Sequence, residues 1–86
     1  MKKLTDQAVL AKVASKDPHR DVREAAIQRL TDQSLIYRVA KTCADSVIRK
    51  NAAGKLTDRE RLKDIWSHDP DSEVREFAYQ RMSKLS

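Results

Sequence analysis

The chain has 86 residues, of which 36% are charged and 40% hydrophobic, with one Gly and two Pro, so we expect one small helical domain and exclude extensive strands or disorder. No apolar run approaches the ~20 residues of a membrane span, and the single Cys43 cannot form an internal disulfide, which predicts a cytoplasmic protein. The net charge of +5 would favour binding to a polyanion, although the basic excess lies in the first two-thirds of the chain.

A tandem repeat of 26 residues divides the chain. Leu30-Thr31-Asp32-Gln33 has a copy one period upstream and another, Leu56-Thr57-Asp58-Arg59, one period downstream. The units are 4–29, 30–55 and 56–81, and the first and third share 13 of 26 positions. Residues 82–86 align with the start of a fourth unit. Such a period is typical of a stacked array, so we predict a single repeat domain over residues 1–86.

Apolar residues recur at helical spacing twice within each unit. In unit one, Leu10, Val13 and Ala14 form the first run, and Val22 to Leu30 contains the second. Units two and three repeat this arrangement. Each unit is therefore predicted to be a hairpin of an A helix and a B helix, each of roughly 9–11 residues, too short to be stable alone. The prediction is an all-α superhelix (an α-solenoid) of three hairpins and about six short helices.

The Leu-Thr-Asp sequence of each unit predicts where its A helix begins. Thr5, Thr31 and Thr57 are natural N-cap residues. The aspartate that follows each threonine is expected in the first helical turn, where the helix dipole favours a carboxylate.

The turn inside each unit predicts where the B helix begins. Asp17-Pro18 in unit one supplies an N-cap residue followed by a proline suited to the first helical position, and unit three repeats the pair. Unit two has Cys43-Ala44 at these positions, so Asp45 or Ser46 is the expected cap there.

The unit resembles a known family. Asp17-Pro18, Val22-Arg23 and Ala26 form a D-P…V-R-x-x-A pattern, which recurs in unit three, and the pattern looks like a HEAT-type repeat. The recurrent Leu-Thr-Asp-Gln is similar to short bacterial variants of that repeat. The resemblance covers residues 4–82, although HEAT units usually have about 40 residues.

The HEAT-like resemblance implies a non-catalytic scaffold that binds a protein partner along the concave surface of its B helices and needs no cofactor. A minority of the family resembles DNA glycosylases and binds nucleic acid, and other members resemble phycobilin lyases. Binding of nucleic acid or another polyanion is therefore the alternative function, and an enzyme is the third.

Six polar B-helix residues are predicted by helical phase to lie on the concave surface and to contact the partner. They are Arg20, Glu24, Gln28, Lys50, Glu76 and Gln80. Their charges are mixed and no aromatic residue accompanies them, which favours a protein over a nucleic acid as partner.

An arginine recurs at one position of every B helix, as Arg23, Arg49 and Arg75. We predict a structural ladder in which these arginines bury their stems and bond the aspartates of neighbouring units, Asp32 and Asp58. The alternative is a set of guanidinium groups that clamps phosphates or carboxylates of a ligand.

Two further surfaces have two interpretations each. The outward face of the A helices carries Lys12, Lys16, Arg38 and Lys41, which form either a solvated surface or a weak electrostatic site for an acidic partner. In unit three, bulky residues replace smaller ones of the other units. These residues form either a heavier core at the C-terminal end or an exposed partner-binding patch, and they are Trp66, Phe77 and Tyr79.

The sequence predicts neither a catalytic nor a metal site. His19 and His68 lack a companion at metal-ligand spacing, and no histidine stands near Cys43 to activate its thiol. Because the apolar face at each end of the array is small, we expect a monomer or a weak homodimer.

Overall fold

The computed structural model describes residues 6–85 and forms six α-helices in this part of the chain, with no strand. Predictions on residues 1–5, including the cap by Thr5, lie outside the described residues. The all-α prediction is confirmed. The helices are α1 (Gln7–Lys16), α2 (Arg20–Arg29), α3 (Gln33–Thr42), α4 (Ser46–Lys55), α5 (Arg59–His68) and α6 (Ser72–Ser83).

The helices pack as three hairpins in two layers. Each A helix packs against the B helix that follows it, so that α1, α3 and α5 form one layer and α2, α4 and α6 the other. In the A layer, α1 approaches α3 more closely than α3 approaches α5. In the B layer, α4 and α6 make the most extensive contact between units. The resulting array measures 37 × 24 × 16 Å.

Small residues allow the hairpins to pack closely. Ala26, Ala52 and Ala78 are buried, as the helical phase predicts. One prediction for the same face is wrong, because Val22 is 42% exposed whereas the equivalent Ile48 and Val74 are buried. The helices that carry Ile48 and Val74, α4 and α6, each pack against the B helix of the preceding unit. No helix covers that side of α2 among residues 6–85.

The A helices begin one residue later than predicted. Asp32 and Asp58, and not Thr31 and Thr57, are the N-caps, and the Asp32 carboxylate accepts a 3.1 Å hydrogen bond from the main-chain N–H of Leu35. The threonines are held in the linker by the preceding unit. The side-chain carbonyl of Gln7 accepts from the N–H of Thr31, and that of Gln33 accepts from the N–H of Thr57.

The B helices also begin later than Asp17-Pro18 predicted. Asp17 and Asp69 are the C-caps of α1 and α5, and each accepts a 2.9 Å hydrogen bond from the N–H two residues ahead, which orders the turn. The N-cap of α6 is Asp71, two residues after the predicted Asp69, and that of α2 is His19. In unit two, Asp45 is the N-cap, which confirms that prediction.

The end of α6 differs from the ends of the other B helices. Whereas α2 and α4 end just before Leu30 and Leu56, α6 continues through Met82 and Ser83. Met82 and Ser83, which align with Leu-Thr of the other units, thus belong to a helix and not to a linker. In units one and two, a glutamine (Gln7 or Gln33) accepts from the linker N–H groups. Unit three has Arg59 at this position, and Arg59 donates to the Met82 carbonyl at 3.5 Å.

Gly54 provides a close approach between α4 and α6. A methyl group added at Gly54 would lie 2.8 Å from Cε2 of Phe77, which is closer than real carbon contacts. The Phe77 ring is half-buried against the core, and the Lys50 ammonium lies 5.5 Å from the ring centroid on the same surface. The missing side chain at Gly54 thus leaves room for the ring.

The Gly54–Phe77 contact predicts that the effect of Gly54→Ala on stability depends on whether the Phe77 ring is present. Gly54→Ala should gain about 0.5–1 kcal/mol of helix propensity in a Phe77→Ala chain, where the ring is absent. In the native chain this gain should be offset or reversed, because the ring must move. Urea unfolding of the four proteins in a double-mutant cycle measures the difference. The same effect of Gly54→Ala in both backgrounds would show that the ring does not constrain this position.

Candidate interaction surfaces

The predicted concave surface is assembled only in part. Lys50, Glu76 and Gln80 line one shallow depression of about 250 Å³ between α4 and α6, together with Glu73 and Phe77. The other three predicted residues belong to α2 and do not line this depression. Arg20 and Gln28 are exposed, and Glu24 is half-buried. Because the depression is shallow and mixed in charge, its geometry selects neither an anionic nor a cationic partner.

The arginines of the ladder first hold the turn of their own unit. The Nη1 groups of Arg23, Arg49 and Arg75 each donate to the main-chain carbonyl six residues earlier, at 2.6, 2.8 and 2.7 Å. Each bond joins the start of a B helix to the end of its A helix. One side chain thereby fixes the angle of each hairpin.

Two of these arginines also bond the following unit, but through other carboxylates than predicted. Arg23 donates to Asp45 at 2.7 Å, and Arg49 donates from Nε and Nη2 to the two oxygens of Asp69 at 2.9 and 3.3 Å. The predicted partners, Asp32 and Asp58, cap α3 and α5 instead. The reason is geometric: these arginines face the A–B turn of the next unit and not its linker.

Of the two contacts between units, the one made by Arg23 is the less complete, because Cys43 replaces the turn aspartate. Arg23 cannot make the bidentate pair that Arg49 makes with Asp69, and its Nε is buried without a hydrogen-bond partner. The hydrogen bond from Arg23 lowers the pKa of Asp45 from its ordinary value of 3.8. Cys43 itself is 3% exposed, and its Sγ lies 3.8 Å from the Ala14 carbonyl oxygen.

Tyr37 fills the interface between the A helices α3 and α5. Its hydroxyl donates to Asp64, and Lys41 pairs with the same carboxylate at 2.9 Å. The charges of Lys41 and Arg61 lie 5.2 and 5.5 Å from the Tyr37 ring centroid. The hydrogen bond from Tyr37, followed by that from Lys41, lowers the pKa of Asp64, and the same hydrogen bond raises the pKa of Tyr37.

The corresponding interface between α1 and α3 contains an open groove of about 630 Å³, called the α1–α3 groove below. One period before Tyr37 stands Ala11, and one period before Asp64 stands Arg38. The aromatic ring and the carboxylate that fill the second interface are therefore absent from the first. The groove is lined by Ala8, Ala11, Lys12, Ser15 and Lys16 of α1, by Leu35, Arg38, Val39 and Thr42 of α3, and by Ala44.

The α1–α3 groove combines apolar side chains with positive charge. Three of the four basic residues singled out on the outward A-helix face line it: Lys12, Lys16 and Arg38. No carboxylate lines the groove, and these three cations form no ion pair within residues 6–85. The fourth, Lys41, is paired with Asp64. The sequence indicated the charge but not the groove. The feature of the sequence that could have indicated the groove is Ala11, which corresponds to Tyr37 in the next unit.

Two of the three aromatic residues of unit three are exposed. Trp66 and Tyr79 are 38% and 48% exposed, and their ring centroids lie 5.2 Å apart at a tilt of 42°. The heavier-core interpretation is therefore wrong for this pair and holds only for Phe77, which is half-buried. The residues equivalent to the pair in units one and two are completely buried: Ala14, Ile27, Ala40 and Ala53.

Among residues 6–85, no group of three or more His, Cys, Asp or Glu side chains could hold a metal ion. None of the helices in the same range has the length and apolar character needed to cross a membrane.

No known protein family, curated protein or solved structure matches this chain. The likeness to HEAT repeats therefore stays a prediction, and the function is argued from the surfaces themselves.

The Arg49–Asp69 contact predicts a large stability difference between two equivalent arginines. Arg49→Ala leaves the buried Asp69 carboxylate without its cation and should cost about 3–5 kcal/mol. Arg75→Ala is the matched control, since Arg75 occupies the same repeat position but pairs with no carboxylate among residues 6–85, and it should cost less. Denaturant unfolding provides the comparison. Arg49→Ala and Asp69→Asn should be non-additive, and full additivity would contradict the pairing.

The lowered pKa of Asp64 predicts a specific loss of stability in acid. A carboxyl group whose pKa is depressed by folding stabilises the protein above its ordinary pKa of 3.8, and this stability is lost as pH falls through the lower folded value. Asp64→Asn should flatten the fall in unfolding free energy between about pH 5 and pH 2. Tyr37→Phe, which keeps the Lys41 pair, should have an intermediate effect. An unchanged acid limb in Asp64→Asn would refute the assignment.

Proposed function

We propose that this chain is a non-catalytic, HEAT-like helical-repeat scaffold of the cytoplasm that binds a protein partner in the α1–α3 groove. The observation that carries the proposal is an apolar floor bordered by three cations, with no carboxylate among the lining residues. The free, buried thiol of Cys43 is compatible with a reducing compartment.

The composition of the groove favours an amphipathic protein segment. Ala8 is exposed and Leu35 is half-buried, so both offer apolar surface that a partner's side chains can bury, as when a helix lies in a hydrophobic groove. The cations at its margin would orient an acidic segment and speed its association. The concave depression is smaller, at about 250 Å³, and carries both signs of charge, so it takes second place as a binding surface.

The exposed aromatic pair adds a second feature typical of interaction proteins. Tryptophan and tyrosine are enriched among residues that contribute most to binding energy at interfaces. Trp66 and Tyr79 lie at the opposite end of the array from α1, so a long partner could contact both regions.

Binding of nucleic acid is the less favoured function for the same groove. Three cations neutralise about three phosphates, and each contact adds only about −0.9 to the log–log slope of affinity against salt. No aromatic side chain lines the groove to stack on bases. A polyanion would therefore contact the three cations but would leave the apolar floor of the groove uncovered.

The proposal predicts that a short acidic, leucine-containing helical peptide binds at about 150 mM salt, measured by fluorescence anisotropy. Lys12→Glu and Arg38→Glu should each weaken binding by about tenfold or more, since each reverses a charge beside the ligand. Arg20→Glu is the matched control, because Arg20 is an exposed cation outside the groove, and it should have little effect. Tighter binding of duplex or single-stranded DNA, lost in the same two variants, would favour the polyanion function instead.

A further inference from the structure

The interface between α3 and α5 shows what the α1–α3 groove lacks. Both interfaces join successive A helices, and their residues correspond at a spacing of 26. In the second interface, the Tyr37 ring occupies the space between the helices and its hydroxyl meets the Asp64 carboxylate. In the first, Ala11 and Arg38 occupy these two positions. The protein thus contains its own filled version of the groove.

The two differences are complementary in shape and in charge. Ala11 in place of a tyrosine removes a ring, and the groove beside it is lined by the half-buried Leu35 where the second interface has Arg61. Replacing Asp64 by Arg38 exchanges an anion for a cation at the place where the tyrosine hydroxyl is bound. A ligand that restored both contacts would bring a ring to the apolar floor and an anion to Arg38.

We propose that the partner segment places an aromatic side chain in the α1–α3 groove and a neighbouring carboxylate against Arg38 and Lys12. This inference rests on the proposed function and names the chemistry of the segment that the groove recognises. The ring covers Ala8 and Leu35, where it replaces water on an apolar surface. The carboxylate meets cations that have no ion-pair partner within residues 6–85.

The experiment compares three labelled peptides that share one helical, acidic sequence. The first contains a single tryptophan and a nearby glutamate, the second has alanine for the tryptophan, and the third has glutamine for the glutamate. Anisotropy titrations at constant salt give their affinities. The first should bind at least about tenfold more tightly than either of the others.

A variant that fills the groove tests the position of the ring. Ala11→Tyr with Arg38→Asp reproduces in the first interface the residues that fill the second, and it should abolish binding of the tryptophan peptide. Lys63→Tyr is the matched control, since position 63 corresponds to 11 and 37 but lies outside the groove, and it should leave the affinity unchanged. If the double variant does not fold by circular dichroism, Ala11→Leu, which fills less of the groove, replaces it.

The outcomes separate the inference from the proposed function. Equal affinities of the tryptophan and alanine peptides would overturn the aromatic inference, while the acidic-segment function would stand. Absence of binding by all three peptides would overturn both. Binding that survives in a folded, filled variant would place the aromatic contact elsewhere and refute the inference.

Discussion

The contact between Arg49 and Asp69 is the constraint on which the arrangement of units two and three depends. The helices α1 to α5 have ten residues each, a length at which isolated helices are marginal. Apolar packing holds the hairpins together, but alanine-rich faces could slide past one another with little loss. A bidentate pair between two buried side chains has one favourable geometry, so it fixes the register of the units.

The ladder position also links local and global structure. The Nη1 group of Arg49 bonds the Cys43 carbonyl in its own hairpin while Nε and Nη2 bond Asp69 in the next. The angle within one hairpin and the placement of the following one are therefore set by the same guanidinium. For Arg23 of unit one, the facing turn in unit two has the thiol of Cys43 in place of a carboxylate, and Arg23 bonds Asp45 instead. The first interface is thus fixed by a single charged bond and the second by two.

The sequence predicts the parts of this fold that depend on periodicity and misses those that depend on contacts between units. A 26-residue period and helical spacing were enough for six helices, three hairpins and the burial of Ala26, Ala52 and Ala78. Thr31 and Asp32 are both good capping residues, so local preference could not decide between them. The decision comes from Gln7, which is 24 residues away and binds the N–H of Thr31. Helical phase likewise places an arginine on a face without showing which carboxylate lies opposite.

The candidate site could likewise be predicted only in part. The sequence shows which residues are basic, but the packing decides which of them are already held in ion pairs. The net charge of +5 includes arginines that bond the next unit and Lys41, which is held by Asp64. Lys12, Lys16 and Arg38 differ from these because they form no ion pair within residues 6–85. They lie around an apolar groove beside one small residue, Ala11, at the position where unit two has Tyr37. In a repeat protein of this kind, the conserved period builds the scaffold, and the departures from it create the surfaces on which binding can be specific.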